Sequence, residues 1–511
     1  MIRMVHNIAS WYLKHRVNQV HAFMERPHEV QQRWFDYLVQ KGYPTVWGKK
    51  YGYERGMTLN QFRERVPIST YEELYPWIER AFHGETDVLW PGKLNWFAKS
   101  SGTTNDKSKF VPVTEETLED CHFKAGQDML ALYLDQRPDS QLFTGKALSI
   151  GGTHSPHPKA RNIRCGDVSA VMLENLPVFY ELMRTPSKSI ALMADWEEKI
   201  DAMAREVMYE DVTSIAGVPT WTLVLINHMF DVLGMKERNL REIWPNLELF
   251  LHGGVNFEPY RAQFQRLLPG EGMHYMDVYN ASEGFFAVQN DLTQPDLLLM
   301  LDYGIFYEFI PLEEVGRDHP TTHVLDEVEL GRQYAMVIST NSGLWRYQVG
   351  DTVVFTQKEP YQIRVTGRTK HFINAFGEEL MVENAEHAIS RACEATGARI
   401  ANYTAGPIYF QGDQRGGHEW LIEFEEEPDD LDHFHTLLDE TLMEVNSDYE
   451  AKRSGNLALD RPLLHVMPPG TFHQWMKQRG KLGGQHKVPR LANHRRYLEE
   501  ILAMTSGIGE V

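Results

Sequence analysis

Cysteine is almost missing from this chain: there are three in 511 residues, Cys121, Cys165 and Cys393, and none form a Cys-x-x-Cys pair. That scarcity excludes a disulfide framework and a thiolate zinc cluster, and it fits a reducing compartment. His154 and His157 stand near Cys165, but their irregular spacing among proline and glycine reads as a loop and not as a metal site. Long apolar runs are missing too, since none approaches the length that spans a bilayer. The opening Met-Ile-Arg-Met-Val-His-Asn-Ile has no apolar signal core. A cytoplasmic protein without a membrane partner is the expectation. Positive charge is the minority sign, with 51 Lys and Arg against 71 Asp and Glu and a net charge of -20. This argues against nucleic acid as a partner. Internal repeats and low-complexity segments are absent. What remains, 42% hydrophobic and 24% charged residues, is the balance of a globular chain too long for one ordinary core.

The pattern of elements divides the chain. Residues 28–82 read as helices broken by short turns, with Ser69 or Thr70 capping a helix whose first turn carries Glu72 and Glu73. Leu94–Lys99 and Phe110–Val113 read as strands around a Ser/Thr loop, and Thr114 opens a helix expected to run to about Leu134. Strands and helices then alternate through Val278, as in an α/β layered body. More sheet follows at Tyr334–Ser339, Thr352–Thr356 and Tyr361–Thr366. After Gly367 two strands, a helix, a strand and a helix make a compact α+β unit. The expected division is therefore 1–367, a large N-terminal domain, and 368–511, a small C-terminal one.

Five segments carry chemistry. The first is Lys99-Ser-Ser-Gly-Thr-Thr-Asn-Asp-Lys-Ser-Lys109, where Ser100, Ser101, Thr103 and Thr104 surround Gly102 and Lys107 and Lys109 follow. Glycine admits close backbone approach, hydroxyls and amides wrap phosphate oxygens, and lysine neutralises them. It is not a P-loop, because the second glycine and the following helix are missing. Next, Gly253, Gly254 and Val255 come directly after an apolar strand, the place where such sheets bind ligands. Tyr279-Asn-Ala-Ser282-Glu283-Gly284 also follows a strand. It offers an aromatic face, a hydroxyl and one hard carboxylate oxygen donor of the kind magnesium takes beside phosphates. Gly350-Asp351 can accept both hydroxyls of a ribose. Finally, Arg461 to Leu498 contains no acidic residue, and seven of the twenty residues from Lys477 to Arg496 are Lys or Arg. Taken singly, each segment is also ordinary turn or surface chemistry.

Together these segments resemble the adenylate-forming, firefly-luciferase-like superfamily. They resemble more closely its acyl acid amido synthetase branch, the auxin-responsive amido synthetases of plants. The resemblance runs through Val66-Pro-Ile-Ser-Thr-Tyr-Glu72, Ser100–Thr104 ahead of Lys109-Phe-Val-Pro112, Tyr279–Gly284, Arg346–Asp351 and Gly484-Gln-His-Lys487-Val-Pro-Arg490. Acyl-CoA ligases usually show Ser-Gly-Thr-Thr-Gly-x-Pro-Lys, whereas here Asn105 replaces the glycine and Lys109 sits one position later. Trp345 and Gln348 depart from the plant enzymes, which tend to have Tyr and Arg there.

The resemblance implies a large domain with a β-barrel-like part and a mobile small domain hinged near Gly367-Arg368. It also implies a reaction in two steps. A carboxylic acid and ATP, with Mg²⁺, give an acyl-adenylate and pyrophosphate, and an amino acid amine then takes the acyl group and releases AMP. Under it, Ser100, Ser101, Gly102, Thr103 and Thr104 cradle phosphates, Gly253, Gly254 and Tyr279 bracket the adenine, and Lys109, Val255 and Ser282 are further nucleotide-binding residues. Asp351 holds the ribose with Arg368 nearby, Glu283 binds the metal, and Lys487 meets the charge at the α-phosphate, with Lys481 as its rival. The acyl pocket falls between the helix after Thr114 and Ala216–Trp221, with Lys124 or Arg164 as candidates to pair with a substrate carboxylate. A CoA ligase and a catalytically silent nucleotide-binding homologue are the alternatives. The partners expected are small molecules, and the chain itself a monomer or weak oligomer.

Overall fold

The computed structural model describes residues 2–104, 107–153, 163–369, 372–410, 415–456, 458–479 and 488–506. Its frame is a mixed sheet of eleven strands. Lys146–Ser149, Arg184–Thr185, Val212–Gly217, Leu249–Gly253 and His274–Ala281 form a parallel half. Gly284–Val288 and Leu297–Leu299 turn the direction, and the antiparallel strands Ile305–Pro311, Gln333–Thr340, Tyr347–Lys358 and Tyr361–Arg368 extend the same sheet. The antiparallel part is therefore hydrogen-bonded edge-on to the parallel part. Ile305–Pro311 is buried at every position, as are Gly284–Val288 and Leu297–Leu299. Strands covered on both faces lose alternation, which is why these three carry no period-two signal.

Two apolar clusters flank this sheet. One packs Phe35, Trp47 and Phe62 of the early helices against Tyr307 and Trp345. The other joins Phe230, Trp244 and Phe250 of the parallel half to Phe376, Trp420 and Phe434 beyond residue 372. The C-terminal unit has its own sheet, Arg399–Ile408, Gly417–Glu426 and Leu463–Val466, with helices Val382–Thr396, Leu431–Val445 and Thr471–Gln478 against it. The helix over 471–478 has the bounds expected from sequence, and Asp430 caps the helix after it by accepting from His433 N.

Two local expectations change. The Ser/Thr segment is not a free loop: Trp96–Thr104 and Lys107–Val113 are strands of one hairpin. Ser100 pairs with Lys109 and Thr104 with Lys107, so residues 101–103 oppose Ser108 alone and bulge the ladder. Hairpin pairing satisfies backbone groups that a loop would leave to solvent. The helix opened by Thr114 is also not uniform. Thr114 caps Glu115–Thr117, a π-turn spans Leu118–Phe123, and α-helix resumes over Lys124–Gln136. A π-turn is a single-turn expansion of the helix that often marks a functional wall.

Candidate active site

The parallel strands end at one cleft of about 1750 Å³. Ser100 and Lys109 of the hairpin, Gly253–Val255, Tyr279, Ser282, Glu283, Asp351 and Arg368 all line it. Five stretches separated by up to 268 residues of sequence thus converge on one space, at the carboxyl ends of the strands where open α/β sheets bind ligands.

Asp351 anchors the centre. Its Oδ2 accepts from Tyr279 Oη at 2.7 Å and its Oδ1 from Arg368 Nε at 2.8 Å. Arg368 also reaches Glu379 at 3.1 Å, beyond the end of the large domain's last strand. A carboxylate has about four acceptor positions, so Asp351 keeps capacity for ligand hydroxyls with these two bonds made. Burial and the neighbouring Asp351 carboxylate raise the Tyr279 phenol, which stays a proton donor.

Glu283 is 7% exposed and accepts from Tyr347 Oη at 3.0 Å. Burial raises its pKa, while Lys109 and the Tyr347 bond pull it back. It presents one hard oxygen donor to the cleft, and among the described residues no cluster of three or more His, Cys, Asp or Glu side chains gathers around a common point. That set fits a magnesium ion held mainly by phosphate oxygens and water, with one carboxylate from the protein.

The glycines are read by contact. A Cβ on Gly253 would meet the carbonyl of Val278 at 2.5 Å, and Gly254 holds φ +80°. Next to them His252 lies stacked on Phe257 at 4.0 Å. The Gly254 carbonyl accepts from Asn374 Nδ2 at 2.8 Å, which ties the strand end to the segment after the domain junction.

Two motif segments have structural duties. Ser69 bridges to Tyr347, with Ser69 N donating to Arg346 O and Gln348 N to Ser69 O. Tyr71 Oη accepts from Phe110 N at 2.8 Å and so steadies the hairpin. Arg346 does not enter the cleft: it is bidentate to buried Glu308 at 2.9 Å through both Nε and Nη2.

The cleft extends away from these groups over an apolar surface. Phe123, Gly126, Met129 and Leu130 of the π-turn and following helix form one wall, and Ala216–Val218 and Trp221 another. The two segments expected to enclose an acyl pocket therefore share one cavity. Trp196 stacks on Trp221 at 4.0 Å, and Lys199, pushed down to about 8 by burial, donates to the carbonyls of Gly151 and Gly152. Lys124 and Arg164 do not belong here. Lys124 is bound to Asp302 at 2.7 Å and Arg164 lies over the Trp96 ring. Arg184, from a two-residue edge strand too short to show in a sequence pattern, is among the basic residues that line the cavity. Lys487 and Lys481, with His154 and His157, lie outside the described residues, as do the side chains of Ser101, Thr103 and Thr104; of Gly102 only the strand assignment is described.

A polar cleft at the strand ends of an α/β sheet thus adjoins an apolar cavity, with a small C-terminal unit beside both, the arrangement of the acyl acid amido synthetase fold. Sequence profiles of the GH3 family N-terminal, central and C-terminal domains match residues 16–273, 298–368 and 383–496. The chain belongs to the GH3 family. It is 22% identical to the indole-3-acetic acid-amido synthetase GH3.3 of Arabidopsis thaliana, over 90% of this chain and 89% of that one. To the jasmonoyl-L-amino acid synthetase JAR6 of Nicotiana attenuata it is also 22% identical, over 90% of each. Among solved structures, the GH3.15 acyl acid amido synthetase in complex with 2,4-DB superposes with a TM-score of 0.62 at 17% identity, over 96% of each chain. A 2-hydroxyisobutyryl-CoA ligase superposes at 0.55 and 13% identity, over 94% of this chain and 92% of that one.

Proposed function

We propose that the chain is an ATP-dependent acyl acid amido synthetase that joins a carboxylic acid to the amine of an amino acid through an acyl-adenylate. The observation that carries the reading is the convergence of Glu283, Asp351, Tyr279, Ser100 and Lys109 on a cleft continuous with an apolar cavity. Relatives that match nine-tenths of the chain are named an indole-3-acetic acid-amido synthetase and a jasmonoyl-L-amino acid synthetase, which supports the class.

In this reading Asp351, braced by Tyr279 and Arg368, holds the ribose, and Gly253, Gly254, Val255 and Ser282 border the adenine. The bulged hairpin from Ser100 to Thr104, with Lys109, faces the phosphates. Glu283 would hold Mg²⁺, which when bound would supply neutralisation of phosphate charge. The acid oxygen attacks the α-phosphorus and pyrophosphate leaves. Lys487 meets the charge that develops there. The amine then attacks the acyl carbon, AMP departs, and the amine proton passes to solvent or to the cleft. Positioning and fixed charge supply most of the catalysis of such steps. Residues 1–367 and 368–511 act as two domains, with Arg368 at their junction.

The test is AMP formation with ATP and Mg²⁺ over a panel of aromatic, indolic and fatty acids, each with mixed amino acids or with CoA. AMP release that needs an acid and an amino acid, with an amide identified by mass, supports the synthetase. A requirement for CoA instead makes the chain a thioester-forming ligase. Retained ATP binding without turnover in any arm makes it a silent homologue.

A further inference from the structure

The apolar arm of the cavity runs down the parallel sheet, and the strand beneath it gives its depth. Gly145, Ala147, Ser149 and Gly151 line it at every second position, while Leu148 packs in the second apolar cluster on the other face of the sheet. Ser214 and Ala216 of the neighbouring strand pair with Ala147 and Ser149 and line it too. The floor is therefore built of small side chains along its whole length. From Gly151, at the carboxyl end of the strand, to Gly145 is on the order of 20 Å of extended chain. At the foot the lining consists of Leu142 and Phe143, from the turn before the strand, and Leu13 of the first helix.

The walls are apolar. Phe123, Met129 and Leu130 form one, and Val168, Met172 and Leu173 of the helix Val168–Glu174 form the other. Gly126 stands in the first wall, inside the helix Lys124–Gln136, where glycine is disfavoured against alanine. A Cβ there would meet nothing within 4 Å, so no protein contact requires a glycine and the space over it belongs to the cavity. Two basic side chains border this arm, and neither presents a free charge to it. Arg184 is paired with Glu181 at 3.0 Å, with its Nε and Nη2 buried. Burial pushes His122 down to about 4, so it is neutral at pH 7.

We propose that the acid activated here is a long-chain fatty acid, with its carboxyl group at the strand ends and its alkyl chain laid along the face from Gly151 to Gly145. An extended carbon chain advances about 1.25 Å per bond, so the arm takes about twelve to sixteen carbons. A single aromatic ring would fill only the mouth and leave the lower walls wet. The whole cavity, about 1750 Å³, also exceeds the roughly 300–1,000 Å³ of an ordinary small-molecule site, as a nucleotide and a long acid together require. This rests on the proposed synthetase reading for the carboxyl end and concerns only the chain. No covalent step is added: the alkyl chain is bound and leaves unchanged in the product.

The experiment pairs binding with turnover. The full-length protein is given saturated fatty acids from hexanoic to octadecanoic, each below its micelle-forming concentration, beside benzoic and indolic acids. Binding is followed by displacement of a fluorescent long-chain fatty acid, and turnover by AMP release with ATP, Mg²⁺ and mixed amino acids. The expected kcat/KM rises by about threefold per added carbon, as burial of each methylene supplies. It should peak at about twelve to sixteen carbons. Gly126→Leu puts a side chain into the arm and should move the peak to shorter acids, cutting use of hexadecanoic acid by at least about tenfold. Its melting temperature should hold or rise, because leucine is the better helix former, which separates the loss from unfolding. Rates that are flat with chain length, or highest with benzoic, indolic or hexanoic acid, overturn the inference and leave the synthetase reading standing. A peak that Gly126→Leu leaves in place overturns it too, because the chain then lies elsewhere. Length-dependent binding that Gly126→Leu abolishes, without AMP release in any arm, would sink the synthetase reading and leave this one standing.

Discussion

Single residues of the cleft are charged groups held in low-dielectric surroundings, and their substitutions have predictable signs. Glu283→Gln keeps the size and the contact with Tyr347 but removes the anionic oxygen. Adenylation, read as pyrophosphate release, should fall by roughly a hundredfold or more with little change in melting temperature. Lys487→Ala should abolish the same signal in a folded protein; retention of full pyrophosphate release there, with loss in Lys481→Ala, would transfer the role to Lys481. His122 supplies a pH test. It is buried in the π-turn, and burial pushes it down to about 4 from 6.5. A histidine depressed in the folded state leaves the unfolded chain to bind the proton first. Stability is therefore complete above about 6.5 and is lost as pH falls from there toward 4, by roughly 3 kcal/mol in all. Denaturant midpoints measured across that window should fall in the wild-type protein and flatten in His122→Gln.

At the scale of elements, the Arg346 turn is the structural keystone of the motif that carries Asp351. Arg346 takes φ +44° and ties Glu308, Thr322 and the carbonyls of Arg63 and Val66 to one guanidinium. Arg346→Lys keeps the charge but forfeits the fork on a buried carboxylate and should destabilise by about 1–3 kcal/mol, seen as a lower urea midpoint with unchanged slope. This explains why a segment that resembles a nucleotide-binding motif contains residues that never reach the cleft. Thr114 is legible from sequence as a helix cap, and it is one, yet its hydroxyl also bonds Asn341 O at 2.9 Å. That second bond joins the cavity-wall helix to the sheet, and local sequence around Thr114 holds no sign of it.

The whole molecule is tied together at the junction. Tyr260 Oη donates to Ala375 O, Thr220 Oγ1 to Phe376 O and Asn374 Nδ2 to Gly254 O, so residues 374–376 lie hydrogen-bonded to the helices and strand end of the parallel half. The second apolar cluster crosses the same boundary. Tyr260→Phe removes one of these bonds, worth about 1 kcal/mol. Amide exchange over 372–381 should rise by roughly fivefold, while exchange within Gly417–Glu426 stays unchanged. An equal rise in both regions would mean that the two domains open as a single cooperative body.

The sequence by itself determined the α/β class, the order of the main elements and the five segments of chemistry, because glycine placement, hydroxyl clusters and charge are local properties that motifs record directly. It placed Asp351 after a glycine and Glu283 after a strand, and both line the cleft. Only the tertiary structure decided that the Ser/Thr segment is a bulged hairpin, that Lys124 and Arg164 are spent on Asp302 and Trp96, and that Arg184 lines the cavity. Each of these depends on register between strands distant in the chain or on competition among partners for one side chain. Those are non-local quantities, which no window of sequence contains.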